Sequence, residues 1–192
     1  CKHMEGIVAG AGWSLKDPPA DWYKDKFVIG INGAYCFFKE QGIPKPDLLV
    51  SGDSRFLMKH PEAADMGKRF WLFRWKDLCN NPLAKSYDFA STDNNFICFG
   101  SSSHIGIHIA LLLGLRPIYL IGIDLGMGKG GLKYAIREGR KINLLVETVS
   151  WEASREGFRA FARMTEPGHI IDCSADGGLH CFAKKLPWRK DD

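Results

Sequence analysis

The chain has little excess charge and no long apolar run, and each absence excludes a class of protein. Lys and Arg number 26 against 22 Asp and Glu, and the basic residues are scattered. This balance gives little support to a protein that wraps nucleic acid, although it suits an anionic small-molecule ligand. The longest apolar stretches, Ile109–Leu115 and Ile118–Ile123, are separated by Arg116 and Pro117. Both fall well short of the roughly 20 residues that cross a bilayer.

A CxxC motif and a signal-peptide pattern are also missing. Most of the six cysteines lie in apolar runs, which favours buried free thiols in a reducing compartment over disulfides. We therefore expect a cytoplasmic protein. The 192 residues, 45% of them hydrophobic, are enough for one domain with a sizeable core, and we expect a single domain over residues 1–192.

Short apolar runs rich in β-branched residues recur, each followed by a turn and a helical stretch. The predicted strands are Ile7–Ala9, Phe27–Ile31, Asp47–Ser51, Arg69–Trp75, Asn95–Phe99, Pro117–Ile123 and Ile170–Ile171. Helices are predicted over 33–41, between Ser101–Ser103 and Gly114, and over 150–164. This alternation predicts an α/β fold with a doubly wound, mostly parallel, Rossmann-like sheet flanked by helices. Residues 125–143 lack periodicity and are predicted to form a mobile active-site loop.

Ligands of open parallel sheets bind beyond the carboxyl ends of the strands, so the residues there are candidates for a site. In this chain they are small or polar after nearly every strand, where a purely structural turn needs only one or two such residues. The candidates are Gly10, Gly12, Ser14, Asn32, Gly52, Asp53, Gly100, Ser101, Ser102, Ser103, Gly122 and Asp124.

Two of these turns leave two interpretations open. In the first, IVAGAGWSL, the dinucleotide fingerprint fails because Leu15 stands where a third glycine is needed, so nicotinamide or flavin binding is not expected. The turn at Gly10–Ser14 either forms a nest of N–H groups for a phosphate or only allows a tight bend. The turn at Gly100–Ser103 offers an anion site or plain helix capping, and it lacks the lysine of a P-loop.

Two aspartates and two histidines complete the candidate chemistry. Asp53 and Asp124 could bind a divalent metal that bridges phosphates, or could only form turns. We take both as candidate catalytic residues and Asp53 as the candidate Mg²⁺ ligand. His104 and His108 share a helix face but lack the glutamate of HExxH. We expect His108 to be an ordinary helix residue and His104 to have the better chance of ligand contact.

The motifs, taken in order, resemble two related families. IVAGAGWSL, GINGAYCFF, PDLLVSGD, SSSHIGIHIALLLGLRPIYLIGIDL and IIDCSADGGL are similar to segments of the Rossmann-like (MptE-like) family named after the archaeal 6-hydroxymethylpterin pyrophosphokinase. They also resemble the bacterial lipooligosaccharide sialyltransferases, which use CMP-activated sialic acid. The resemblance runs through nearly the whole chain and is most specific from Ser101 to Asp124. Trp13 replaces the proline of the usual Gly-x-Gly-Pro-Ser-Leu motif.

The resemblance implies roles for particular residues. A nucleotide site would include Gly10, Gly12, Ser14, Asn32, Ser102 and Ser103, with Asn32 on the cytidine nucleotide. Tyr119 would match a tyrosine of the same strand in the sialyltransferases, and we take it as a candidate catalytic residue. Asp53 would match acidic residues of the pterin family that are suited to magnesium.

The chain also departs from the sialyltransferase pattern. The histidine general base of that family would fall near Val149, yet no histidine lies between 109 and 168. An arginine expected just before the serine turn is Phe99. A general base must reach its proton directly or through one water, and Glu147, Glu152 or an aspartate could substitute.

The sequence therefore predicts a protein that binds a nucleotide or nucleotide-sugar and acts as a transferase. The transfer would be glycosyl transfer from a CMP-sugar, or diphosphate transfer from ATP with Mg²⁺. Lys129, Lys133, Tyr134 and Arg137 would close over the anion and exclude water. The alternative is a binding or sensing module without catalysis. We expect no nucleic-acid partner and no membrane span, and a homo-oligomer is left open.

Overall fold

The structure is a computed structural model that describes residues 3–52, 56, 60–62, 70–72, 89–90, 101–126, 144–175 and 177–189, with the backbone alone for 70–72, 89–90 and 144–150. The strands are β1 (Gly6–Ala9), β2 (Phe27–Ile31), β3 (Leu48–Ser51), β4 (Phe70–Leu72), β5 (Phe89–Ala90), β6 (Ile118–Ile121), β7 (Ile170–Asp172) and β8 (Ala183–Lys184). The α-helices are α1 (Ala34–Glu40), α2 (Ser102–Leu112) and α3 (Leu144–Met164), and two 3₁₀ turns, Trp13–Lys16 and Ala20–Tyr23, follow β1.

The described strands form one sheet in the order β5-β4-β3-β2-β1-β6-β7-β8. Every pair of neighbours is parallel, so the predicted doubly wound α/β fold is confirmed. The chain builds outward from β1 to β5 and then returns to the other side of β1 with β6. The carboxyl ends of all strands therefore share one edge, with the change of direction between β1 and β6.

Helices cover both faces of the sheet. On one face, α2 and α3 contribute Ile105, Phe158 and Phe161, all nearly or fully buried. On the other, α1 and the second 3₁₀ turn contribute Phe38 and Trp22. The central strands are buried on both sides, which explains why they read as continuous apolar runs rather than as alternating ones.

Most predicted elements are confirmed, with different ends. The predicted helix after the serine turn is α2; Ser101 caps it, and the helix stops before Gly114, which has a φ of +68°. The predicted helix over 150–164 begins earlier, at Leu144. The predicted strand Asn95–Phe99 lies outside the described residues, and β5 and β8 were not predicted.

Cys173 and Cys181 are free thiols, and Cys173 is fully buried. In the part of the chain that the structure describes, no helix combines the length and the apolar character needed to cross a bilayer. The predicted loop over 125–143 lies outside the described residues except for its first two positions. The loop and the single domain stay predictions.

Candidate functional site

The bends after β1 and β6 are packed directly against each other. A Cβ on Gly10 would come within 2.2 Å of the Gly122 carbonyl oxygen, and one on Gly12 within 2.6 Å. The N–H of Gly10 donates to the Ile121 carbonyl at 2.8 Å, and that of Gly12 to the Gly122 carbonyl at 2.7 Å. Only residues without a side chain allow this approach, so the packing explains both glycines without a ligand.

Ser14 and Asp124 join the same two bends through buried hydrogen bonds. The Ser14 N–H donates to Oδ2 of Asp124 at 3.0 Å, and the Ser14 hydroxyl donates to Oδ1. The same hydroxyl oxygen accepts from the Gly122 N–H at 2.9 Å. Burial raises the pKa of Asp124 to about 6, against the opposing effect of the Ser14 hydrogen bonds. We call this pair the Ser14–Asp124 latch.

The predicted phosphate site at the first turn thus has its amides engaged by the fold. The N–H groups of Gly10, Gly12 and Ser14 all donate to β6 or to the bend after it. A phosphate bound by these amides would have to break those bonds, so the tight bend accounts for the geometry of IVAGAGWSL. The ligand-binding roles of these three residues, of Gly122 and of Asp124 stay predictions.

A second group of polar residues lies at the carboxyl ends of β2 and β3. Nδ2 of Asn32 donates to Oγ of Ser102 at 3.3 Å, and the Gly52 N–H donates to the same oxygen at 3.0 Å. A Cβ on Gly33 would lie 3.8 Å from the Cβ of Ala11, in the bend after β1. The bends after β1, β2 and β3 therefore meet the start of α2 at one edge. We call Asn32, Gly52 and Ser102 the rim group.

The rim group leaves one buried acceptor without a donor, and one hydroxyl hydrogen without an acceptor among the described residues. Oδ1 of Asn32 is buried and accepts no hydrogen bond. Oγ of Ser102 accepts two bonds, which uses both lone pairs, and its O–H donates to no residue in the described part of the chain. A buried polar atom without a partner costs about 1–3 kcal/mol. A ligand with a donor beside an acceptor would satisfy both atoms.

Tyr119 and His104 lie away from the rim group. Tyr119 packs edge to face on Trp22, with ring centroids 5.6 Å apart, and burial raises its pKa to about 12. Its predicted catalytic role stays a prediction. His104 points towards α3: Nε2 lies 3.0 Å from the Ser154 carbonyl oxygen, the ring contacts Phe158, and burial lowers the pKa to about 4. The expectation that His104 has the better chance of ligand contact stays a prediction.

The other two serines of the turn before α2, Ser101 and Ser103, form the cap of the helix. Oγ of Ser101 accepts from the Ser103 N–H at 3.3 Å, which is the capping interpretation of this turn. The binding roles predicted for Ser101 and Ser103 stay predictions. Several other predicted site residues lie outside the described residues; they are Asp53, Gly100, Lys129, Lys133, Tyr134 and Arg137.

The described ranges contain no group of three or more His, Cys, Asp or Glu side chains that could hold a metal ion. Because Asp53 falls outside these ranges, the magnesium site stays a prediction.

Glu152, one of the carboxylates considered as a substitute base, forms an ion pair with Arg155 on the same helix. Nη2 of Arg155 also donates to the Leu125 carbonyl at 3.2 Å.

Sequence reasoning missed a polar cluster beside α1. Tyr35, in the first turn of α1, donates its hydroxyl to Oε1 of Glu62 at 2.6 Å. Nδ1 of His60 lies 3.5 Å from that carboxylate oxygen and 3.5 Å from the Tyr35 oxygen. The Phe56 ring packs on the imidazole with centroids 5.1 Å apart. Nothing in the sequence links these positions to Tyr35. We call the four residues the His60 cluster.

The fold is similar to that of solved glycosyltransferases. The sialyltransferase CstII from Campylobacter jejuni, in complex with the substrate analogue CMP-3FNeuAc, covers 96% of this chain and 87% of its own, with 17% identity and a TM-score of 0.59. The monofunctional alpha-2,3-sialyltransferase Cst-I from the same organism covers 94% and 79%, with 17% identity and a TM-score of 0.55. The MAf glycosyltransferase from Magnetospirillum magneticum AMB-1 covers 96% and 34%, with 14% identity and a TM-score of 0.61.

At these identities the likeness shows the fold: the chain has a Rossmann-like α/β fold of the sialyltransferase type. The sialyltransferase side of the sequence resemblance is therefore supported in its fold, and the pterin pyrophosphokinase side is not. No protein-family model and no curated protein sequence matches the chain.

Proposed function

We propose that this protein is a glycosyltransferase whose donor is a cytidine-nucleotide sugar of the CMP-sialic acid type. CstII, a neighbour in fold, has been solved with CMP-3FNeuAc and with cytidine-5'-monophosphate, which supports this donor class. The observation that carries the proposal is the rim group. It presents a buried, unpartnered acceptor on Asn32 beside a Ser102 hydroxyl that donates to none of the described residues, at the edge where parallel α/β folds bind ligands.

A cytidine nucleotide offers the complementary groups. Cytosine carries an amino donor next to ring acceptors, and the ribose hydroxyls both donate and accept. The Asn32 amide is already held by Ser102, so little ordering is left to be done when a ligand binds. The start of α2 also lies at this edge, and the positive end of a helix dipole favours a phosphate nearby.

The proposal is tested by the thermal stability of the protein with CMP, UMP, CDP and ATP, each with and without Mg²⁺. CMP at 100 times its dissociation constant should add about 2.7 kcal/mol to the free energy of unfolding, without any need for Mg²⁺. If Asn32 contacts the base, CMP should stabilise more than UMP, because uracil has a carbonyl where cytosine has its amino group. A stabilisation that only ATP with Mg²⁺ produces would overturn the proposal and favour diphosphate transfer.

A binding or sensing module without catalysis is the second candidate function. It is favoured by the absence of any histidine between 109 and 168, where the resembling family carries its general base. Release of CMP from CMP-sialic acid separates the two candidates. CMP binding with turnover supports the transferase, whereas CMP binding without turnover supports the module.

A further inference from the structure

The His60 cluster has the composition of a proton-transfer site. We infer that His60 is the general base of the proposed transfer, oriented by Glu62 and Tyr35; this inference rests on the proposed function. In the transfer, the acceptor oxygen forms a bond to the anomeric carbon, and the bond from that carbon to the phosphate oxygen breaks. Its electron pair leaves with CMP, and the acceptor proton goes to the imidazole.

Two oxygen acceptors surround Nδ1 of His60. One is the Glu62 carboxylate, and the other is the Tyr35 oxygen, whose own hydrogen is donated to Glu62. A neutral imidazole carries one N–H, and next to two acceptors that hydrogen belongs on Nδ1. Nε2 then keeps its lone pair for a proton. A carboxylate behind Nδ1 orients catalytic histidines in other enzymes in the same way.

The His60 cluster lies at the same edge of the sheet as the rim group. Tyr35 is three residues beyond Asn32, at the start of the helix that leaves the carboxyl end of β2. The segment with Phe56 and His60 follows β3 and Gly52. The His60 N–H donates to the Phe56 carbonyl at 2.9 Å, and the Phe56 ring packs on Tyr35, which fixes the imidazole beside α1. The His60 side chain is 40% exposed, so an acceptor can reach it.

Three other basic groups, on His104, Glu152 and His169, are already engaged. His104 is buried against Ser154, and Glu152 pairs with Arg155. Nε2 of His169 lies 3.1 Å from a main-chain oxygen at the opposite edge of the sheet, where β7 begins. His60 therefore combines exposure, an orienting carboxylate and the correct edge.

The test is the rate at which CMP-sialic acid releases CMP, with water as the hydroxyl acceptor. We expect H60A to lower kcat at least about 100-fold, the usual contribution of a general base, with little change in the donor KM. Added imidazole should restore turnover to H60A, an effect that a merely structural role would not produce. H3A, at an exposed position near the amino edge of the sheet, is the matched control and should keep wild-type activity.

The E62Q variant distinguishes the role of the base, His60, from that of Glu62, which positions it. E62Q should lower kcat without rescue by imidazole, because the histidine is still present. An H60A variant that keeps kcat near the wild-type value overturns the inference and leaves the proposed function intact. CMP binding without any CMP release by the wild-type protein also overturns it, in favour of the binding module. Absence of CMP binding in the thermal assay overturns the proposed function and the role of His60 together.

Discussion

Asn32 has two features that the packing of the sheet does not require. Its backbone has a φ of +47°, a left-handed conformation that asparagine tolerates better than most residues. Its side-chain oxygen is buried without a donor, at a cost that native folds seldom accept away from functional sites. A ligand that donates to this oxygen, as proposed, would account for the second feature.

Replacing Asn32 by glycine isolates the contribution of the side chain. N32G keeps a residue that accepts positive φ and removes the amide, so the affinity for CMP should fall about 10- to 100-fold, equivalent to about 1–3 kcal/mol. Isothermal titration with CMP measures the loss. D25G is the matched control, because Asp25 also has positive φ, +60°, and precedes β2 at the opposite edge of the sheet. Equal CMP affinity in N32G and D25G would contradict the role of Asn32.

Glycine 10 is expected to be a stability determinant. In G10A the new Cβ would meet the Gly122 carbonyl oxygen at 2.2 Å. Because the Cβ is fixed to the main chain of one bend and the oxygen belongs to the main chain of the other, the two bends must separate. We expect a loss of at least about 2 kcal/mol in the free energy of unfolding. G33A is the control, since its Cβ would have no neighbour closer than 3.8 Å. Urea denaturation checks the pair, and a G10A midpoint equal to that of G33A would contradict the packing.

At the scale of elements, the Ser14–Asp124 latch connects β1 to β6, the two strands at which the chain changes direction. S14A removes the hydroxyl that donates to Asp124 and accepts from the Gly122 N–H, leaving both groups buried with fewer partners. The expected loss is about 1–3 kcal/mol in the free energy of unfolding. S103A is the control, because Ser103 contributes its main-chain N–H to the cap and alanine retains it. Similar urea midpoints for the two variants would show that the latch does not stabilise the fold.

The sequence predicted the long elements because their apolar runs and caps are local signals. β2 has the predicted bounds, and α2 begins at the predicted serine turn. β5 and β8 have two residues each, which is too short for any periodicity to show. Their pairing comes from the sheet, and a local pattern does not contain it.

The same division holds for the candidate site. Asn32, Ser102 and Asp124 were found from the rule that ligands bind beyond strand ends. The His60 cluster was missed because it depends on a contact between α1 and a segment that follows β3, 25–27 residues along the chain. The engagement of Ser14 by Asp124, 110 residues away, is equally invisible to local patterns.

At the scale of the whole molecule, two buried groups make the stability depend on pH in opposite directions. His104 has a lowered pKa of about 4, so its contribution to stability is present above the usual histidine range and is lost as the pH falls towards 4. Asp124 has a raised pKa of about 6, so its contribution is present at low pH and is lost as the pH rises through 6. Between about pH 4 and pH 6 the two effects offset each other.

Substitution of either group should reveal the pH dependence of stability that the other group contributes. Relative to wild type, D124N should lose about 2 kcal/mol of unfolding free energy between pH 7 and pH 4, because it lacks the stabilisation that wild type gains when Asp124 is protonated. H104Q should gain a comparable amount over the same range. Urea titrations at several pH values measure both differences, in which the exposed carboxylates common to all variants cancel. Parallel curves for wild type and D124N would contradict the burial of Asp124.

The most direct measurement is a crystal structure of the protein grown with CMP and without Mg²⁺. The account predicts cytidine at the carboxyl edge of β2, with a donor about 3 Å from Oδ1 of Asn32 and an acceptor at a similar distance from Oγ of Ser102, both ordinary hydrogen-bond lengths. CMP bound elsewhere on the molecule, with the Asn32 oxygen still unpartnered, would contradict it.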